Sequence, residues 1–330
     1  MKIAFFGTKE YDRAHFKEEY EGISITFLRP RLSMETAILA ADFDAVCAFV
    51  NDDLSGPMIR MLAKLGVRYI LMRCVGYNNV DLKAAKECGI QVARVPAYSP
   101  EAVAEHAFTL LLAANRRIHK AYNKVRDNDY SLVGLTGMNL YGKTAGVIGT
   151  GKIGQAFIRI CRGFGMNIIA WDPYPNLTAA VELGFTYLDN PYDVFAEADV
   201  ISLHCPLTEE NHHLINKDTI CRMKDGVILV NTSRGGLIDT EDLITGIKSG
   251  KFHAIGLDVY EEEDGLVFND KSGEILDHTT TARLLSFPNV ILTSHQAFLT
   301  HEALEAIAET TVLNARRLER GIDIPNIVKG

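Results

Sequence analysis

Thr144-Ala145-Gly146-Val147-Ile148-Gly149-Thr150-Gly151-Lys152-Ile153-Gly154 is the stretch that decides the fold. Its first residues are largely apolar and read as a buried strand; G-x-G-x-x-G follows at once and opens a helical stretch that runs to about Phe164. Glycines so placed allow a tight turn, a close approach of backbone to a pyrophosphate, and close packing of helix on strand. The helix N-terminus adds unpaired N–H groups and a partial positive charge. A second apolar strand, Asn167-Ile168-Ile169-Ala170-Trp171, ends in Asp172, about 20 residues past the glycines, where a carboxylate can receive ribose hydroxyls. No arginine follows directly, since the chain continues Pro173-Tyr174-Pro175. The carboxylate suits a 2′-hydroxyl and repels a 2′-phosphate, so the expected cofactor is NAD rather than NADP. Gly149, Gly151, Lys152, Ile153, Gly154 and Asp172 are the residues expected to hold it.

The same alternation of strand and helix extends outward nearly to both ends, as in Ala45–Val50, Met58–Leu65 and Tyr69–Met72, and it marks an α/β protein with parallel sheets. The 330 residues exceed the ~250–300 at which single cores stop growing, so two domains are expected. The boundary reads most clearly at Val95-Pro96-Ala97-Tyr98-Ser99-Pro100, where a strand ends and Ser99 can cap a helix whose first turn accepts Pro100. That helix is expected from Glu101 to Tyr122, with Val103, Ala107, Leu110, Leu111 and Ala114 on its apolar face and the cations Arg116, Arg117, His119 and Lys120 at its far end.

Composition excludes several classes. A net charge of −8 is wrong for a nucleic-acid partner, which needs a basic face. No apolar run is long enough to cross a bilayer. The N-terminus, Met1 to Thr8, reads as a buried strand running into a glycine turn rather than a secretory signal, so a cytoplasmic location is expected. The six cysteines form no C-x-x-C pair, which points to reduced, mostly buried thiols. His204, His212 and His213 lack a metal-ligand pattern, and no metal is expected.

Three strand ends in the second half carry polar groups suited to reducing a carbonyl: Val230-Asn231-Thr232-Ser233-Arg234, Gly256-Leu257-Asp258-Val259-Tyr260, and Val290-Ile291-Leu292-Thr293-Ser294-His295. In an open α/β sheet the ligand sits beyond such ends. At these residues the chain resembles the D-2-hydroxyacid dehydrogenase family, in particular its members that interconvert pyruvate and D-lactate in fermenting bacteria. The matching stretches span almost the whole chain: Arg73 to Asp81, Val95 to His106, the glycine loop, His204-Cys205-Pro206-Leu207-Thr208, Asn231 to Gly235, Asp258-Val259-Tyr260-Glu261 and His295-Gln296-Ala297-Phe298.

The resemblance implies two Rossmann-like, doubly wound parallel-sheet domains with the active site in the cleft between them: residues 1–98 plus 299–330 for substrate and 99–298 for NAD. It makes Arg234, Glu263 and His295 catalytic. Histidine suits proton transfer near neutrality and a neighbouring carboxylate favours its charged form, while an arginine fork can grip a carboxylate and polarise a carbonyl together. Glu263 rests on the family's spacing from Asp258; Glu261 and Glu262 are the candidates if the register slips within the run Glu261 to Asp264. Ser294 departs from the proline common at that place. By the same resemblance, Val75 and Gly76 offer N–H groups to the substrate carboxylate with Tyr98 nearby, and Asp258 contacts the nicotinamide carboxamide. Cys205, Pro206, Asn211, Thr232 and Ser233 surround the cofactor. Phe49 closes the pocket around a methyl-sized side chain, with Phe298 as a further wall, which favours pyruvate and D-lactate. A dehydrogenase of bulkier 2-oxo acids and a non-enzymatic NAD sensor are the competing readings. A homo-oligomer, dimer or tetramer, is expected through the long helix.

Overall fold

The computed structural model describes residues 1–263, 265–275 and 279–328; Asp264, last of the acidic run, lies outside them. The chain divides into two compact units, Met1–Ser99 with Leu299–Gly330, and Pro100–Phe298.

The first unit holds β1 (Lys2–Phe5), β2 (Glu19–Tyr20), β3 (Ile23–Phe27), β4 (Ala45–Ala48), β5 (Tyr69–Met72) and β6 (Gln91–Arg94), in spatial order β2-β3-β1-β4-β5-β6. All pairings are parallel except the short edge pair β2–β3, a departure from an all-parallel reading. Strand β4 is buried throughout, as a central strand covered on both faces must be. The C-terminal helix His301–Glu319 packs on β5 and β6.

The second unit carries β7 (Thr144–Ile148), β8 (Asn167–Trp171), β9 (Thr186–Tyr187), β10 (Val200–Leu203), β11 (Val227–Asn231), β12 (Phe252–Leu257) and β13 (Val290–Leu292), in the order β13-β12-β11-β10-β7-β8-β9, parallel throughout. The strand order reverses between β7 and β10, the point where open α/β sheets bind ligands. Two apolar clusters flank the sheet, one including Phe195, Leu229 and Leu243, the other Phe108, Phe157 and Val230.

The helix expected from Glu101 to Tyr122 is two helices, Pro100–Asn115 and Ile118–Arg126. Arg117 between them adopts a left-handed backbone, φ 53°. Its guanidinium donates to the carbonyls of Ala114, at 3.1 Å, and His253, at 2.7 Å, so the cation serves the end of the first helix while the chain turns. All six cysteines are free thiols; Cys221 is exposed and Cys88 half-buried.

Candidate active site

The glycine loop is built by close approaches. A Cβ at Gly149 would sit 2.7 Å from the backbone of His204 and Cys205, and one at Gly154 would overlap the Gly149 carbonyl. Gly149, at φ 92°, also needs a conformation that side chains rarely adopt. Gly151, by contrast, faces open space at the cap of the helix Lys152–Gly163, where first-turn N–H groups lack intrahelical partners. Lys152 is exposed beside it and Ile153 half-buried. At the end of β8, Asp172 receives the N–H and hydroxyl of Thr150, at 2.7 and 3.1 Å, and the N–H of Tyr174, at 2.9 Å. A free helix N-terminus, open space over Gly151 and a carboxylate at the next strand end fit a dinucleotide. The loop after β10 is tied to the same place: the Asn211 amide donates to the Pro206 carbonyl at 2.7 Å, and the Ser233 hydroxyl to the Cys205 carbonyl at 2.5 Å. The Thr232 hydroxyl is buried without a partner among the described residues, and burial pushes the Cys205 thiol up to about 11.

Beyond β11, β12 and β13 the expected catalytic residues assemble. Gly235 permits the first approach, since a Cβ there would overlap the Tyr260 carbonyl; the turn bearing Arg234 thus lies directly against the turn bearing Glu261 to Glu263. Half-buried Arg234 donates to the Ser233 carbonyl at 2.7 Å, and no carboxylate pairs with it among the described residues. Its charge remains available to an anionic ligand.

The three glutamates separate cleanly. Glu261 accepts from His213 Nε2 at 2.6 Å and from the N–H and hydroxyl of Thr240. Glu262 accepts from the Thr281 hydroxyl at 3.4 Å. Glu263 is the one whose Oε1 stands 3.2 Å from His295 Nδ1, while its Oε2 is buried without a partner among the described residues. Phe268, φ 66°, lies 6.2 Å from the His295 ring and 6.4 Å from the Phe298 ring, centroid to centroid. His212, His213 and Glu261 also offer three possible metal-ligand atoms within 4.8 Å of one another. His213 is tied within that group by its 2.6 Å hydrogen bond to Glu261, with Asp239 3.4 Å from its other nitrogen.

His295 stands on a strained loop, φ 50°, a conformation costing a non-glycine residue roughly 1–3 kcal/mol. Asp258 holds it there. The Asp258 carbonyl accepts from His295 N at 2.8 Å, and its carboxylate accepts from Gln296 N at 2.9 Å, Ala297 N at 2.8 Å and the Thr293 hydroxyl at 2.5 Å. Burial opposes ionisation of Asp258, but hydrogen bonds from His106, Thr293 and Gln296 outweigh it and hold the carboxyl below its ordinary range. The side chain expected to touch the nicotinamide is thus fully buried and engaged by the loop that carries His295. Sequence reasoning did not single out Thr293 or His106; the one available signal was that both lie in or beside the motifs that carry the resemblance.

In the first unit, Phe49 is buried at the end of β4, its ring 4.9 Å from the Arg73 guanidinium carbon. Its N–H donates to Asp52 at 2.7 Å. Val75 and Gly76 are half-buried; the Val75 carbonyl accepts from Arg94 at 2.9 Å and the Gly76 carbonyl from Cys74 Sγ at 3.2 Å. Tyr98 is half-buried.

Residues 108–297 match the family model described as D-isomer specific 2-hydroxyacid dehydrogenase, NAD binding domain. The chain belongs to this family. It is 53% identical over 328 residues to a D-lactate dehydrogenase of Escherichia coli, covering 99% of each chain. An apo-structure of D-lactate dehydrogenase from Escherichia coli superposes with a TM-score of 0.90 at 50% identity, covering 99% of this chain and 100% of that one. A D-lactate dehydrogenase from Aquifex aeolicus complexed with NAD and lactic acid gives 0.88 at 33% identity, with 99% of each covered. As a member of the family the chain is an oxidoreductase that uses NAD, and the glycine loop with Asp172 is the part of it whose geometry fits that cofactor. No helix among the described residues is long and apolar enough to cross a membrane.

Proposed function

We propose that this dehydrogenase interconverts pyruvate and D-lactate, with Arg234, Glu263 and His295 as its catalytic residues. The observation that carries the reading is the 3.2 Å contact between His295 Nδ1 and Glu263 Oε1 on a loop beside an arginine that no carboxylate among the described residues neutralises.

Nδ1 is committed to the carboxylate, so the proton exchanged with substrate belongs to Nε2. Glu263 stabilises the charged imidazolium that must form when Nε2 takes the proton of the lactate hydroxyl, and in reduction Nε2 returns it to the carbonyl oxygen. Arg234 grips the substrate carboxylate and offers positive charge to the oxygen on C2 as it becomes an alkoxide. NAD, when bound, accepts the hydride from C2 of lactate, and in its reduced form supplies it to C2 of pyruvate. Its pyrophosphate is assigned to the N–H groups from Gly151 to Gly154 and its ribose to Asp172, with Cys205, Pro206, Asn211, Thr232 and Ser233 lining the neighbouring loops. The N–H groups of Val75 and Gly76 receive the substrate carboxylate with Tyr98 nearby, and Phe49 and Phe298 bound its side chain.

A homo-oligomer is part of the proposal: Ile118, Tyr122, Val125, Tyr130, Leu132 and Val133 are all exposed, a run of apolar surface that a second copy would cover.

Steady-state assays test the reading: NADH oxidation with pyruvate, 2-oxoisocaproate and phenylpyruvate, and NAD reduction with D- and L-lactate. Turnover confined to pyruvate and D-lactate is the expected result, whereas preference for a bulky oxo acid would reassign the substrate. Tight NADH binding without turnover would make the protein a sensor. Phe49→Leu should raise kcat/KM for 2-oxoisocaproate about tenfold relative to pyruvate, the worth of a few methylenes in an apolar pocket; an unchanged ratio would remove Phe49 from the pocket wall.

A further inference from the structure

We infer that His106, through Thr293 and Asp258, is a positioning residue that holds the His295 loop in its working conformation; the inference rests on the proton-transfer role proposed for His295. His106 lies on the helix Pro100–Asn115, which packs on β12. Gly256 makes that packing close, since a Cβ there would stand 2.8 Å from Leu110 Cβ. One turn back along the helix and two residues on along the chain, His106 meets Asp258. His106 Nε2 is 3.2 Å from the Thr293 hydroxyl oxygen and 3.3 Å from Asp258 Oδ1.

Proton accounting fixes the direction of these bonds. Buried Asp258 is ionised and can only accept, so the Thr293 hydroxyl spends its proton on Oδ1. The Thr293 oxygen is left as an acceptor, and both atoms facing His106 Nε2 then require a proton on it. His106 is therefore the donor that closes the network, whatever the state of its other nitrogen. A fully buried carboxylate that loses a charge-assisted donor binds its remaining partners in a less defined geometry. Besides the Thr293 hydroxyl, those partners are the N–H groups of Gln296 and Ala297, which directly follow His295 in the chain. With them loosened, the strained φ of His295 relaxes and the Nδ1 contact with Glu263 lengthens. The glycine loop stands at the end of another strand, β7, and takes no part.

Steady-state kinetics and NADH binding by fluorescence are measured for H106L, H106Q, T293V, T293S and H295Q. In H106L, kcat is expected to fall roughly ten- to a hundredfold, the cost of a misplaced catalytic group, with the NADH dissociation constant held within about twofold. H106Q, which restores an N–H donor, recovers most of that loss. T293V and T293S repeat the loss and the rescue independently of the helix, so the question remains answerable if H106L fails to fold. A wild-type kcat in folded H106L or T293V, or a loss that neither H106Q nor T293S recovers, overturns the inference while leaving the role of His295 intact provided H295Q is inactive. An active H295Q overturns the underlying reading instead.

Discussion

His204 and His295 follow β10 and β13 at the same edge of one sheet, yet the structure gives them opposite surroundings. His204 packs its ring 5.0 Å from that of Phe157, and its Nε2 meets the Ser202 hydroxyl at 2.9 Å. Desolvation drives its pKa down to about 3, so it stays neutral through the physiological range. No carboxylate faces it within ion-pair distance among the described residues. His295 instead stands on a left-handed loop, φ 50°, with Glu263 Oε1 at 3.2 Å from Nδ1, and it is on this carboxylate contact that the proposed proton-transfer role rests. A histidine at the carboxyl edge of an α/β sheet is thus a position, and a neighbouring carboxylate is what separates the one proposed for proton transfer from the one that is not.

The largest effect is expected from His295→Gln, which should retain NADH binding but lose on the order of 10²–10⁴ in turnover, the usual worth of a positioned acid or base; a near-normal rate would cancel the distinction. Glu263→Gln keeps an oxygen near Nδ1 and removes its charge. A loss of about tenfold in kcat is expected, smaller than for His295→Gln because the acid itself survives, and the same kinetic assay reads it.

His204→Gln should leave kcat within about threefold, since the ring touches none of the proposed machinery. Its consequence is for stability. The pKa of His204 is depressed in the folded state, near 3 against about 6.5 for the unfolded chain, so the unfolded state takes up the proton first. The stability this neutral ring contributes is complete above pH 6.5 and is lost as pH falls from there toward 3. Urea midpoints at pH 7 and pH 4.5 should therefore lie closer together in His204→Gln than in the unmutated protein. An equal spread would mean that other groups control the acid sensitivity.

Much of the architecture was legible in advance because it rests on short-range geometry. The strands Thr144–Ile148 and Asn167–Trp171 announce themselves by runs of mostly apolar residues, and the glycine turn between strand and helix by a backbone conformation that larger residues rarely enter. The break at Arg117 was not legible. The composition there favours a continuous helix, and the left-handed turn is fixed by a carbonyl of His253, brought from 136 residues away. The acidic run tells the same story at the site: three adjacent glutamates are equivalent as residues, and the packing of Gly235 against Tyr260 decides that one faces His213, one Thr281 and one His295.

The sequence by itself determined the class of the fold, the cofactor loop and the residue types available for the chemistry, since each is set by local periodicity, by glycine's freedom of backbone or by the side chain's own functional group. Only the tertiary structure decided which carboxylate partners His295, that His204 is held neutral, and that His106 reaches Thr293 across 187 residues. Those outcomes depend on desolvation and on hydrogen bonds between distant segments, and neither exists until the sheet and its helices have packed.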